Sequence, residues 1–308
     1  MKYTLRQLEI FVAICRTQSV SRAAEILYLS QSATSTSLGE FERQFNLQLF
    51  DRVGKSLSIN ETGRQLLPKA VELLDRAKEI EAQLNGLASF GEMHIGATLT
   101  VGNYLATLLV AKYLQGHPES RIQLQVRNTK TIVQQIANYA LDLGLIEGDC
   151  HHPDIEVMPW IADELVIFSA PNHPLASEQN ISLNRLLSEP WILREQGSGT
   201  RETFDRAFQN HHAELNIRLE LEHTEAIKRA VESGLGIGCI SRLALKDAFK
   251  RGSLVPLATP EIQLNRNFYF LWHKQKYQTA GIKYFLNLCK EMTAGLERSD
   301  QVELLNYS

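Results

Sequence analysis

Four cysteines stand in the 308-residue chain, and no two of them are spaced as a pair: Cys15, Cys150, Cys239 and Cys289 lie far apart. That excludes a small disulfide-stapled scaffold and any CxxC zinc module. Long apolar runs are missing as well. The longest uncharged candidate, Ile95 to Ala111, is interrupted by Thr98, Thr100, Asn103 and Thr107, too short and too polar for a membrane helix. Arg6, Glu9 and Arg16 fall where a secretory signal would need an apolar core, so a cytoplasmic protein with no membrane partner is expected. Nor is there an assignable catalytic set. Ser198 is outside any GxSxG elbow, and Gly234-Leu235-Gly236-Ile237-Gly238 lacks the GxGxxG spacing of a dinucleotide loop. Cys150-His151-His152-Pro153-Asp154 holds metal-capable side chains that are adjacent rather than spaced, which reads as a surface turn. No enzyme, no metal and no cofactor are expected.

What is present suits two or three soluble domains, with 44% hydrophobic and 22% charged residues. The net charge of −3 is unevenly spread: residues 1–60 carry seven bases against five acids, +2, and the remainder carries −5. A mildly basic front end on an acidic body hints at two jobs. Leu5, Leu8, Phe11, Val12 and Cys15 recur at helical spacing over 4–17. Ser19 and Ser21 then precede a short helix with Arg22 and the small pair Ala23-Ala24, and a third helix runs from about Gln31 to Phe45. Its apolar side is Ala33, Leu38, Phe41 and Phe45, whereas Gln31, Ser32, Thr34, Ser35, Thr36 and Ser37 crowd its first turns. Serine and threonine are mediocre helix formers, and a merely solvated face would favour Glu, Lys and Arg. Short neutral hydrogen-bonding side chains instead suit phosphates and base edges, in the order helix, turn, polar recognition helix. Residues 47–59, with Gly54 between short extended segments, read as a wing that carries Arg52 and Lys55 to the DNA backbone.

The runs Leu5-Arg6-Gln7-Leu8-Glu9-Ile10-Phe11, Ala23-Ala24, Ser30-Gln31-Ser32-Ala33, Leu49-Phe50-Asp51-Arg52 and Glu61-Thr62-Gly63 resemble the N-terminal domain of LysR-type transcriptional regulators. Thr34 departs from the valine usual there. Gly39, inside the recognition helix, costs about 1 kcal/mol relative to alanine and is expected to permit close packing. The expected DNA contacts are Ser21, Arg22, Gln31, Ser32, Ser35, Thr36, Arg52 and Lys55.

From Thr62 onward Leu66, Ala70, Leu73, Ala77, Ile80, Leu84 and Leu87 alternate steps of four and three, a heptad seam that predicts pairing with a second copy of the chain. The resemblance likewise implies a linker helix here, a homodimer or homotetramer, and RNA polymerase as a partner. Beyond Gly91 short β-rich runs alternate with helical ones, predicting an α/β fold with largely parallel sheets. The candidate strands are 93–97, 122–127, 141–146, 165–169, 191–193, 217–221, 237–241 and 268–272, with helices near 103–115, 131–139, 200–209, 225–233 and 278–295. The resemblance resolves this into two lobes. The fold expected is therefore α/β, with an all-α winged helix-turn-helix N-terminal domain and a C-terminal two-lobed, periplasmic-binding-protein-like α/β domain. Its divisions are 1–60 for DNA binding, 61–90 for the linker helix and dimerisation, and 91–300 for effector binding. The polar tail from Arg298 is expected to be disordered.

Three strand-to-helix junctions share one design: Thr98-Leu99-Thr100-Val101-Gly102-Asn103, Glu195-Gln196-Gly197-Ser198-Gly199-Thr200-Arg201 and His223-Thr224-Glu225-Ala226. Helix N-termini offer free N–H groups, hydroxyls add neutral donors, and glycine admits close approach, so a small anion fits, with Arg201 or Lys228 as optional charge. As effector contacts we expect Thr98, Thr100, Gly102, Asn103, Glu147, Glu195, Ser198, Gly199, Thr200 and Thr224. The segments 143–148, 190–195, 197–202 and 225–228 look like the CysL/YeiE-like branch, which implies a sulfur oxyanion such as sulfite or sulfate. Glu147 is awkward beside an anion. The alternatives are a LysR-type regulator of carbon metabolism with an organic or sugar-phosphate effector, and a cytoplasmic solute-binding module.

Overall fold

The computed structural model describes residues 2–53, 56–84 and 90–302, with backbone alone at 52, 53 and 56. Each of the first three helices begins on a hydroxyl cap. Thr4 and Gln7 form a reciprocal capping box at α1 (Leu5–Thr17), Ser19 accepts from Arg22 N at α2 (Val20–Ile26), and Ser30 accepts from Ala33 N at α3 (Gln31–Phe45). The wing is an antiparallel pair, β1 (Phe50–Val53) and β2 (Ser56–Ile59), with Phe50 opposite Ile59. The long helix α4 (Glu61–Leu84) follows; its Gly63 is obligatory, because a Cβ there would stand 2.4 Å from the Leu49 carbonyl oxygen. Leu8, Phe11, Ile14, Phe41, Leu49, Phe50, Leu67, Val71 and Leu74 form one core, so the first part of α4 belongs to the N-terminal domain.

Two α/β lobes follow. The first contains β3 (Glu92–Ala97), α5 (Leu99–Val101), a π-helical turn over Gly102–Ala106, α6 (Thr107–Gly116), β4 (Arg121–Val126), α7 (Thr129–Ala137) and β5 (Leu143–Glu147). The strand β6 (Ile155–Ser169) leads to the second lobe, with α8 (Leu183–Leu187), β7 (Pro190–Arg194), α9 (Gly199–Ala207), β8 (Asn216–Leu221), α10 (Thr224–Glu232), β9 (Ile237–Ser241), α11 (Arg242–Arg251) and β10 (Val255–Pro256). The chain returns along β11 (Asn265–His273) to α12 (Ala280–Met292). All strands after the wing join one path, β4-β3-β5-β11-β6-β9-β7-β8, with β10 on β6.

Pairing is parallel only at β3–β4, β3–β5, β7–β8 and β7–β9; β11 runs antiparallel to β5 and β6, and β6 antiparallel to β9. The expectation of largely parallel sheets thus holds inside each lobe and fails between them, where two long strands cross. The first half of β6 is not legible as strand because Pro159, which has no N–H to give a ladder, breaks the pattern. The register slips there, Phe268 facing Ile161 and Tyr269 facing Pro159, a bulge that accommodates a residue without an N–H. Helix α11 was missed because it abuts β9 with no turn between them: Ser241 ends the strand and accepts from Leu243 N at 3.2 Å as the helix cap. The tail is not loose at its start, for Ser299 is buried and donates to Asp163 at 2.6 Å.

Candidate functional site: a polar helix face and an interlobe cleft

On α3 the buried side is Thr34, Leu38 and Phe41. Thr34 fits the core because its hydroxyl donates to the Ser30 carbonyl at 3.0 Å, leaving only its methyl to pack. The outward side presents Gln31, Ser32, Ser35 and Thr36, all exposed. Gln31, Ser35 and Thr36 make no hydrogen bond within the described residues, and Ser32 meets Ser30 at 3.0 Å. Ala33, expected on the apolar side, is exposed with them. Ser21 and Arg22 are exposed on α2. The Arg52 side chain and all of Lys55 lie outside the described residues, as does Leu87.

The second site is built by topology. In each lobe one strand is the point where chain order reverses, β3 between β4 and β5, and β7 between β8 and β9. Crevices beyond the carboxyl ends of such strands are where open α/β sheets bind ligands. Thr98 and Thr100 follow β3; Ser198 and Thr200 follow β7; Thr224 follows β8 beside them. All five are at most 2% exposed, as is Glu147 at the end of β5. The two edges touch. Thr200 Oγ1 donates across the cleft to Glu147 Oε1 at 3.4 Å, and Gly199 N donates to Thr129 Oγ1 at 3.1 Å. A Cβ at Gly199 would stand 2.0 Å from the Glu147 carbonyl oxygen, so glycine is what lets the lobes close.

Glu147 is the hub. It accepts from Thr98, from Thr100 at 3.2 Å and from Thr200, so these three hydroxyl protons are already committed. Donors left over at these strand ends include Ser198 Oγ, Thr224 Oγ1 and one guanidinium nitrogen each of Arg194 and Arg266, all buried with no partner among the described residues. Arg266 was not anticipated. Its Nη1 donates to Thr200 Oγ1 at 3.0 Å, and its Nε donates to Asp163 at 2.7 Å, a pair only 1% and 0% exposed. An arginine two residues before the apolar run 268–272, in Asn265-Arg266-Asn267-Phe268, was the signal that could have revealed it. The cations proposed from sequence are spoken for: Arg201 binds Asp205 and Glu220, and Lys228 binds Glu225 and the Ala244 carbonyl. Glu195 likewise serves Arg194 through two bonds of 2.8 and 3.0 Å. Gly102 is buried, and a Cβ there would stand 2.8 Å from Val126, which accounts for the glycine by packing. Asn103 is exposed.

A third polar cluster joins α4 to the first lobe. Lys276 Nζ, on a side chain 2% exposed, stands 2.6 Å from Asp75 and 2.7 Å from Asp142. Burial raises the Asp75 carboxyl, offset only in part by Lys276. Burial would raise Asp142 too, but Lys276 and the His94 N–H bring it well below the usual carboxylate range. Nearby, Tyr277 donates to Glu79 at 3.0 Å and Arg76 lies 4.2 Å over the Tyr277 ring.

No helix of the described residues is long and apolar enough to cross a membrane. Residues 5–64 match the bacterial regulatory helix-turn-helix family of LysR type, and residues 88–294 match the LysR substrate-binding domain. The HTH-type transcriptional regulator YeiE of Escherichia coli (strain K12) is 42% identical over 94% of this chain and 98% of its own length. The activator CmpR of Synechocystis is 33% identical over 92% of this chain and 94% of its own, and CysL of Bacillus subtilis 27% over 92% and 95%. Among solved structures, the Synechocystis CcmR regulatory domain in complex with 2-PG is 29% identical, covers 67% of this chain and 99% of its own, and superposes with a TM-score of 0.62. The chain belongs to the LysR family of transcriptional regulators, a helix-turn-helix DNA-binding domain joined to a small-molecule effector domain, and it is not an enzyme.

Proposed function

We propose that the chain regulates transcription in response to a small oxyanion, a sulfur oxyanion such as sulfite or sulfate, bound between the lobes. One observation carries this: Ser198 after β7, Thr224 after β8 and Arg266 at the start of β11 hold buried donors with no partner among the described residues. A buried polar atom left unmatched costs free energy, and an oxyanion would satisfy all three. With Glu147 and Asp163 against Arg266 these three side chains count one net negative charge, against which an anion must bind through the unmatched donors. The second reading, a phosphorylated organic acid, is favoured by the likeness to a domain solved with 2-PG.

Gln31, Ser32, Ser35 and Thr36 meet base edges and adjacent phosphates, with Ser21 and Arg22 beside them and the wing on the backbone. On α4 the stripe Leu67, Val71 and Leu74 is used by the chain's own core, while Leu73, Ile80 and Leu84 are exposed. This second stripe, with Leu66 and Ala77, seats the partner copy; Ala70, only 2% exposed, sits in the chain's own core. The route between sites is short. Paired strands β5 and β11 each have one end in the cleft, at Glu147 and Arg266, and the other beside α4, at Asp142 and Lys276. Effector occupancy shifts the population between lobe arrangements, and this strand pair carries the shift to the linker helix.

Thermal unfolding against sulfite, sulfate, thiosulfate, phosphate, 2-PG and sugar phosphates tests the effector. A true ligand at 100 times its Kd adds about 2.7 kcal/mol. Stabilisation by a sulfur oxyanion that disappears in Ser198→Ala or Thr224→Ala supports the first reading. Stabilisation confined to the phosphorylated acids replaces it with the second.

A further inference from the structure

Glycine inside a helix needs a reason, since alanine holds the same conformation with less loss of chain entropy. Nearly every other described glycine shows one. Gly91, Gly148, Gly197, Gly234, Gly236, Gly252 and Gly295 adopt positive φ. A Cβ at Gly63, Gly96, Gly102, Gly144, Gly199, Gly238 or Gly281 would lie between 2.0 and 3.1 Å from a neighbour. Gly116 closes its helix, 4.0 Å from the Tyr284 hydroxyl. Gly39 has neither reason. It sits mid-way along α3 with ordinary φ, and a Cβ built on it meets nothing within 4 Å among the described residues. The expectation that it serves packing inside the chain is therefore wrong.

Its position says where the space opens. Gly39 follows Ser32 by seven residues, Ser35 by four and Thr36 by three, so all four share one helix face, opposite Thr34, Leu38 and Phe41. Here the surface forms an open groove of about 780 Å³ lined by Ser35, Thr36, Gly39, Arg43, Asn46 and Gln48, among others. Arg43 Nε donates to the Gly39 carbonyl at 3.1 Å, which holds that side chain along the helix. We propose that Gly39 is the point of closest approach between α3 and double-stranded DNA. Its missing side chain lets the helix settle deep enough for Ser35 and Thr36 to reach the major-groove edges. This rests on α3 being the recognition helix, as proposed above, and adds a positioning residue that contributes no hydrogen-bonding side chain of its own.

The test uses full-length protein, a duplex selected by the wild type from a random pool, and the variants Gly39→Ala, Gly39→Met and Ser35→Ala. Alanine and methionine are both better helix formers than glycine, so both Gly39 variants should fold and melt about 4 °C higher in the small N-terminal domain. DNA affinity should move the opposite way, falling about tenfold for alanine and about a hundredfold for methionine, the scale of overfilling a fitted contact. Wild-type affinity in both Gly39 variants, with weakened binding by Ser35→Ala, overturns the close-approach role and keeps α3 as the reader. Wild-type affinity in all three overturns both. A lower melting temperature for the alanine variant would mean that the chain itself fills the space. Weaker DNA binding accompanied by a smaller mass in light scattering would assign the space to a second copy. Either result overturns the proposal.

Discussion

The outer face of α3 and the cleft between the lobes use the same side chains, serine and threonine, to opposite ends. On α3 the hydroxyls of Ser35 and Thr36 are exposed and make no hydrogen bond within the described residues. In the cleft those of Thr98, Thr100 and Thr200 are at most 2% exposed and spend their protons on Glu147, whereas Ser198, Thr224 and Arg266 keep buried donors with no partner among the described residues. An exposed hydroxyl is already satisfied by water and gains little from its own chain, so it can be replaced with small effect on the fold. A buried hydroxyl is part of a network in which every partner lost leaves another unsatisfied. The surface reader is therefore tunable one residue at a time, while the cleft changes as a unit.

The largest expected effect breaks the cleft side of this contrast. Arg266→Met would leave Asp163 wholly buried without its cation, although Ser241 and Ser299 still donate to it at 2.7 and 2.6 Å. Removing one member of such a pair costs about 3–5 kcal/mol. Urea unfolding should show this loss in the effector domain while the N-terminal domain, which shares no partner with Arg266, keeps its transition. A loss below about 1 kcal/mol would mean that the pair is solvated and the closed network is not real.

Next in size is Glu147→Gln. The amide removes a negative charge that stands against a bound anion, so anion affinity should rise by about tenfold or more. Isothermal titration of the wild type and the variant with the same anion reads the change directly. A glutamine variant that binds more weakly would make Glu147 a direct acceptor for a ligand hydroxyl or amine.

The same contrast explains what the chain reveals before folding. The polar face of α3 was legible because it is one helix: Gln31 to Ser37 are neighbours in sequence, and six polar residues in seven positions stand out unaided. The cleft threonines were legible only as caps after strands. What turns them into a site is the meeting of Thr100, Glu147, Thr200 and Arg266, separated by up to 166 positions, and no local periodicity encodes it. Arg201 and Lys228 misled because each is a cation near the right turn, and Glu195 because it opens the glycine-rich one. Which salt bridge absorbs that charge is decided by Asp205, Glu225 and Arg194 only after packing. Gly39 misled in the other direction, since a helical glycine ordinarily reports a neighbour inside the chain. On α4 a 3.5-residue repeat marks a stripe, yet Ala70 falls where that stripe overlaps the one used by the chain's own core.

The smallest expected effect on the fold is also the most discriminating one for the surface. Gln31 is exposed and without a hydrogen bond among the described residues, so Gln31→Ala should change stability by no more than about 0.5 kcal/mol. Its effect on DNA depends on what the amide touches. A glutamine paired with an adenine edge donates and accepts at once, and losing it removes about 1–3 kcal/mol of preference at one base pair while other positions stay as they were. A glutamine on a phosphate contributes equally to every sequence, and losing it lowers affinity uniformly. Binding measured on a set of duplexes with single substitutions across the site separates the two. Preference relaxed at one position assigns Gln31 to a base edge. A uniform loss moves it to the backbone and leaves base reading to Ser35 and Thr36, whose alanine variants should then show the position-specific change instead.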